Sequence, residues 1–178
     1  MKSFRESLEI VGLKNAEFFA ADLFRESFKA AFPVPQRYET PTAAIEPRDW
    51  HQYVAFYKWS DRSIEPVGFC NWIRHRDVYL EGGMCVRHHF YRRLPKEHWL
   101  DCKGCGGIAQ LMMETAASEL DDLDAWFGYC GDKKAYLVDL RAGYEPTGIE
   151  HLIVRWFGAV SDARKKELVD RVAAIGPF

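Results

Sequence analysis

Met84-Cys85-Val86, a basic and aromatic segment, Lys103-Gly104-Cys105-Gly106-Gly107, then Ile108 through Leu120: this run decides how the chain is read. It begins as the end of an apolar strand. Its middle carries Arg87, Arg92, Arg93, Lys96 and Lys103 in one short segment. From Gly106 to Leu120, Ile108, Leu111, Met112, Ala116 and Leu120 recur at helical spacing, the pattern of an amphipathic helix. A strand that delivers a glycine turn to a helix N-terminus makes an anion site. Backbone N–H groups converge there, and the helix dipole favours negative charge.

Working outward, three strands precede this run. Trp50–Trp59 is dense in aromatic and branched residues, Asp61-Arg62-Ser63 reads as a hairpin turn, and Val67–Arg74 and Val78–Val86 follow across a polar turn at His75–Asp77. An antiparallel meander is the simplest arrangement. Downstream, Ala125–Cys130 reads as a strand and Asp132–Ala142 as a helix, with Asp132 as its N-cap and Gly143 at C′. Tyr144–Ile149 and Glu150–Phe157 are two more strand candidates, and Ser161 caps a last helix over 162–174 with an apolar stripe of Leu168, Val169, Val172 and Ile175. Near the start, Phe24, Phe28 and Phe32 at i+4 predict a helix over 14–32 that Pro33 and Pro35 close. Residues 2–13 fit either a short strand or a helical turn. Pro33 to Pro47 reads as irregular, with an extended piece near Ala43–Ile45.

The chain has 178 residues, enough for one domain (1–178) with a sizeable core and no need of disulfides or metals. A formal net charge of -2 argues against a general binder of nucleic acid or membrane surfaces. No apolar run approaches the ~20 residues of a membrane span, and the first residues lack the apolar core of a signal peptide, so a cytoplasmic location is expected. Of five cysteines, an odd number, Cys70, Cys85 and Cys130 lie inside strand-like runs where a thiol acts as a small hydrophobe. This usage reads as a reduced compartment.

Over about residues 50–157 the order of elements resembles the GNAT acyltransferase superfamily. Two motifs carry the resemblance. Gly104-Cys105-Gly106-Gly107-Ile108-Ala109-Gln110-Leu111 is similar to that family's glycine turn and helix. Asp132-Lys133-Lys134-Ala135-Tyr136-Leu137-Val138-Asp139-Leu140-Arg141-Ala142-Gly143-Tyr144 is similar, without a gap, to its second cofactor segment. The resemblance implies an α/β fold with a mixed sheet and a C-terminal helix. It also implies an N-acetyltransferase using acetyl-CoA or another acyl-CoA, acting on a small-molecule acceptor of unknown identity. Backbone amides over Lys103, Gly104, Cys105, Gly106, Gly107 and Ile108 would hold the pyrophosphate. The Cys85 and Val86 backbone would hold the pantetheine arm, with Asp132 beside the cofactor. Gly82-Gly83 in mid-strand is a physical counterpart of the strand splay such a site needs. The expected partners include no nucleic acid and no membrane, with a homodimer as the candidate assembly.

The departures are specific. Asp101 stands where the family has a basic or amide residue, and a carboxylate there repels phosphate. The run from Val86 to Gly104 is longer than usual, with Leu94–Leu100 as an insertion; Arg92, Arg93 or Lys103 is the candidate replacement cation. Asp139 stands at the family's general-acid tyrosine.

Glu81, on the strand leading into the site, is the candidate general base, acting directly or through water; strand alternation puts it on one face with Tyr79, Gly83 and Cys85. The blander reading pairs it with an arginine such as Arg74. For the proton donor, Tyr136 stands ahead of Asp139, since an exposed aspartate is already ionised at neutral pH. Two other readings stay open. One is a catalytically inactive fold that binds a ligand or partner, motivated by Asp101, Asp132 and Asp139. The other is an interaction protein that uses zinc or thiols at Cys102 and Cys105 with His88 and His89. The spacing favours incidental thiols, so no metal is assigned.

Overall fold

The computed structural model describes residues 2–32 and 49–178, together with the backbone of 39–40 and 43–44. The chain opens with α1 (Phe4–Ser7), β1 (Leu8–Leu13) and α2 (Glu17–Phe28), followed by the two-residue strands β2 (Glu39–Thr40) and β3 (Ala43–Ala44). The meander is β4 (Trp50–Lys58), β5 (Ile64–His75) and β6 (Val78–Val86). Then come α3 (Phe90–Arg93), α4 (Lys96–Gly104), α5 (Ile108–Ala117), β7 (Ala125–Tyr129) and α6 (Lys133–Arg141). The chain closes with β8 (Glu145–Pro146), β9 (Leu152–Trp156) and α7 (Asp162–Ala173).

Seven strands form one sheet in the order β1-β4-β5-β6-β7-β9-β8. Every neighbouring pair is antiparallel except β6 and β7, which run parallel across the α5 crossover. One face carries Tyr53, Cys70, Trp72, Tyr79 and Trp126 against α5, with α4 and α6 beyond. The other face buries Val54, Phe69 and Cys85 under Ala20, Leu23 and Phe24 of α2. On that same face, further along the sheet, Leu80, Phe127 and Val154 lie under Leu168 and Val172 of α7. Each fully buried aromatic or aliphatic side chain contributes roughly 1.5–3 kcal/mol, so both layers are needed.

Several boundaries differ from the sequence reading, each for a local reason. Residues 2–13 hold both alternatives: Ser3 and Glu6 close a capping box around α1, and β1 follows directly. Helix α2 stops before the prolines, because Lys29 takes a left-handed φ of 56°. The extended piece near Ala43–Ile45 appears as β3 over Ala43–Ala44; apart from β2 and β3, residues 33–48 lie outside the described residues. The segment expected as a loop holds α3 and α4. Phe90 is buried between Tyr57 and Trp59 (ring centroids 5.1 and 6.0 Å), and Pro95 opens α4. His98, within α4, accepts from or donates to Tyr57 Oη at 2.5 Å and reaches the Lys2 carbonyl at 2.7 Å. A carbonyl only accepts, so Nε2 carries the proton and Nδ1 accepts from the tyrosine. Tyr144–Ile149 shortens to the two residues of β8.

Candidate active site

The parallel pairing of β6 and β7 is brief. Val78–Glu81 match Ala125–Gly128, after which β6 continues with no partner on that side. The gap widens into a cavity of about 810 Å³ whose lining includes Glu81, Met84, Val86, Ala109, Val138 and Asp139. From the opposite sheet face, Phe24, Phe28, Gly83, Cys85, Tyr129 and Phe178 also reach it. The opening therefore passes through the sheet.

A β-bulge creates the divergence. Asn71 pairs with Gly83 and Trp72 with Glu81, so Gly82 is the extra residue. A Cβ on Gly82 would sit 2.4 Å from the Asn71 side-chain amide group, and Gly83 adopts φ +122°. Asn71 is fully buried; with its amide oriented by its partners, it donates to the Gly83 carbonyl (3.3 Å) and accepts from the Trp50 indole (2.6 Å). The extra residue also corrects the expected alternation. Glu81, Met84 and Val86 share the α5 face, whereas Gly83 and Cys85 turn to the α2 face, because one inserted residue inverts parity. Period-2 counting has no means of seeing a bulge, although the Gly-Gly pair marks its place.

Glu81 is the last residue of β6 paired with β7, so its carboxyl stands at the apex of the gap. Tyr144 Oη donates to Glu81 Oε2 at 2.9 Å. Across the ladder sits Gly128, where a Cβ would come within 3.3 Å of Glu81 Oε2 and 3.4 Å of Ile153. The pairing with Arg74 is overturned: that guanidinium binds Asp122 at 3.0 Å. Asp139, expected to be solvated, is buried and faces the same cavity, because α6 turns that residue inward. Burial, then the Asp139 charge, raises the Glu81 pKa well above the usual carboxylate range, against the Tyr144 hydrogen bond. Burial raises Asp139 as well, opposed by a hydrogen bond from Cys130. Two carboxyl groups that share a desolvated site do not both ionise readily. Tyr136 lines a neighbouring pocket of about 510 Å³ with Leu137 and Ile149 and does not line this cavity, whereas Asp139 does.

The glycine turn is shorter than expected. Lys103 and Gly104 form the last turn of α4, Cys105 is its C-cap, and only Gly106 (φ +84°) and Gly107 (φ +93°) turn the chain into α5. Those angles suit glycine alone, and a Cβ on Gly106 would meet Gln110 at 2.9 Å. Helix α5 has no side-chain cap. Ile108 N–H points at Tyr91 Oη (3.4 Å), and the amides of Ala109 and Gln110 precede the first intrahelical bond, from Leu111 N–H to the Gly107 carbonyl. Lys103 and Arg141 line a pocket with Tyr91, Gly106 and Gly107. Of the cations proposed from sequence, Arg93 is held by Glu65 at 2.8 Å and lies over Trp59, Arg92 lines neither pocket, and Lys103 lies at the turn. Arg141 was missed. It sits one turn beyond Val138 on α6, and helical spacing from Lys134 through Val138 would have found it. Asp101 is exposed and lines neither pocket. Asp132 caps α6, accepting from Lys134 N–H (2.8 Å) and Ala135 N–H (2.9 Å), and borders the cavity.

The cysteine–histidine reading finds no support. Among the described residues no group of three or more His, Cys, Asp or Glu side chains could hold a metal ion. Cys102 is buried, with its pKa pushed up to about 12 by desolvation. His88 and His89 are exposed.

The donors present fit an acyl-coenzyme A. Free helix-start amides, positive-φ glycines and two cations suit a pyrophosphate, and the unpaired edge of β6 at Cys85–Val86 suits an amide-bearing arm.

No protein-family model matches the sequence, and no curated protein matches it. Solved structures do. The chain is similar to the ribosomal-protein-S18-alanine N-acetyltransferase from Escherichia coli, with TM-score 0.55 and 10% identity over 87% of this chain and 97% of that one. Tetrahymena GCN5 gives 0.52 and 10% over 86% and 99%. YhhK from Escherichia coli, solved bound to coenzyme A, gives 0.51 and 12% over 88% and 99%. At such identities the likeness is one of fold: the chain has the mixed α/β fold of the GNAT acyltransferases.

Proposed function

We propose that the protein is an acyl-coenzyme A-dependent N-acyltransferase, using acetyl-CoA as its simplest donor and an amine as acceptor. The observation that carries the reading is the carboxyl pair, half-buried Glu81 and buried Asp139, facing one cavity in the gap between the two parallel strands. When bound, acyl-coenzyme A supplies the thioester. The amides of Ala109 and Gln110, with Lys103 and Arg141, hold the phosphates, and the free edge of Cys85–Val86 orients the arm toward the gap.

Burial and the Asp139 charge keep a proton on Glu81 up to its raised pKa, above which the carboxylate form predominates. Tyr144 favours the carboxylate form of Glu81, which takes the proton that leaves the amine nitrogen. As the nitrogen–carbon bond forms and the carbon–sulfur bond breaks, the Glu81 carboxyl gives up the proton it has gained, and that proton passes to the thiolate with Asp139 beside it as the relay. One proton enters the pair and one leaves, so the site is restored.

Titration with acetyl-CoA tests the cofactor. Stabilisation at about one hundred times Kd is roughly 2.7 kcal/mol; no shift in Tm at millimolar cofactor overturns the proposal. Thiol release with an amine panel tests turnover. A retained Tm shift with no thiol release from any amine would instead favour a binding protein.

A further inference from the structure

Resting on that reading, the two faces of the gap differ in chemistry. The groups proposed to hold the phosphates, the Gly106-Gly107 turn, Lys103 and Arg141, lie on the α5–α6 face. A donor seated there leaves the α2–α7 face for the acceptor. On that face the cavity is walled by Phe24, Phe28, Tyr129 and Phe178. Phe24 and Phe28 pack with centroids 4.5 Å apart and planes tilted by 42°, and Tyr129 meets Phe178 edge-on at 5.4 Å. Phe28 remains 44% exposed despite its position at the cavity. Opposite it, Gly83 has no side chain, and a Cβ there would reach the Phe28 ring at 3.5 Å.

Charge is distributed just as unevenly. Among the described residues lining the cavity, the carboxylates are Glu81, Asp132 and Asp139. Two of these form the proton-handling pair, and Asp132 is engaged by two backbone amides as a helix cap. No carboxylate side chain among the described lining residues lies on the α2 side. An acceptor with several positive charges would bury them without counter-charges, which is costly. An acceptor with a single amine and an apolar body would leave only that amine near the carboxyl pair. We propose that the acceptor is a primary amine on an aromatic or branched aliphatic body, bound between the Phe24–Phe28 wall and the Tyr129–Phe178 wall.

The test uses the intact protein with acetyl-CoA and three probes: 2-phenylethylamine, isoamylamine and spermidine. The expected result is a kcat/KM for the two apolar amines at least about tenfold above that for spermidine, the size of a few buried methylenes. Phe28→Ala should raise KM for 2-phenylethylamine about tenfold, with the acetyl-CoA Tm shift kept, and Phe28→Leu should fall between. Calorimetry of each amine against the protein saturated with coenzyme A reads the same preference without turnover. Preference for spermidine, or a Phe28→Ala effect equal for all three amines, overturns the acceptor class while leaving acyl transfer standing. Absence of any acetyl-CoA shift removes both.

Discussion

Glu81 sits where strand pairing ends, with a tyrosine hydroxyl on one oxygen and a second carboxyl nearby. Replacing it with glutamine keeps the Tyr144 contact, because an amide oxygen also accepts. The expected result is a loss of about 10²–10⁴ in kcat/KM with the acetyl-CoA Tm shift unchanged. The raised pKa also has a stability consequence. The folded state holds the Glu81 proton more tightly than the unfolded chain does, so stability falls as pH climbs from the ordinary carboxylate value to the raised one. Glu81→Gln should therefore melt higher than the parent above that window and level with it below, as a pH series of melting curves would show. The same titration gives the parent a kcat/KM that rises with pH through the raised value, and Tyr144→Phe should move that limb to higher pH. None of this was legible from sequence beyond the candidacy of Glu81. Burial of Asp139 and the Tyr144 contact depend on α6 and β8 folding over the gap, which no local pattern records.

At the scale of elements, the bulge and the glycine turn set the geometry. Gly83→Ala places a side chain at φ +122°, where L residues are strained by about 1–2 kcal/mol. The expected outcome is a lower Tm and a weaker acetyl-CoA shift, since Gly83 lies within the unpaired edge that starts after Glu81. Gly128→Ala crowds Glu81 Oε2 at 3.3 Å and should reduce turnover more than stability, which thiol-release assays and melting curves separate. The meander, α6 and α7 were readable because their signals are local: alternation within Trp50–Val86, Asp132 and Ser161 as caps, Gly143 at φ +93°. The two helices before the glycine turn were not. Their stability comes from Phe90 and His98 packed on Tyr57, a residue far away in sequence.

For the whole molecule, the order of elements identified the fold, and long-range ion pairs complete it. Asp77, in the β5–β6 turn, accepts from both Arg164 and Arg171 of α7, and Arg164 also reaches Asp124 at 2.9 Å. Desolvation raises the Asp77 pKa, but the hydrogen bonds from Arg171 and Arg164 outweigh it, so the net shift is downward. That stability is present above the ordinary aspartate value and lost as pH falls through the lowered one. Asp77→Ala should cost about 1–2 kcal/mol, since the cluster is partly solvated and screening limits its worth. Denaturant melts at neutral pH check the cost, and its disappearance in acid checks the cause.

The link from His98 to the Lys2 carbonyl and Tyr57 has a practical outcome. Helix α4, which delivers the glycine turn, is braced by the first residues of the chain. Loosening that brace with His98→Ala frees the turn to sample orientations in which its amides diverge. Affinity for coenzyme A thus becomes a gauge of how well the amino-terminal segment is seated. A bulky tag fused there would weaken the ligand from a distance, without touching it.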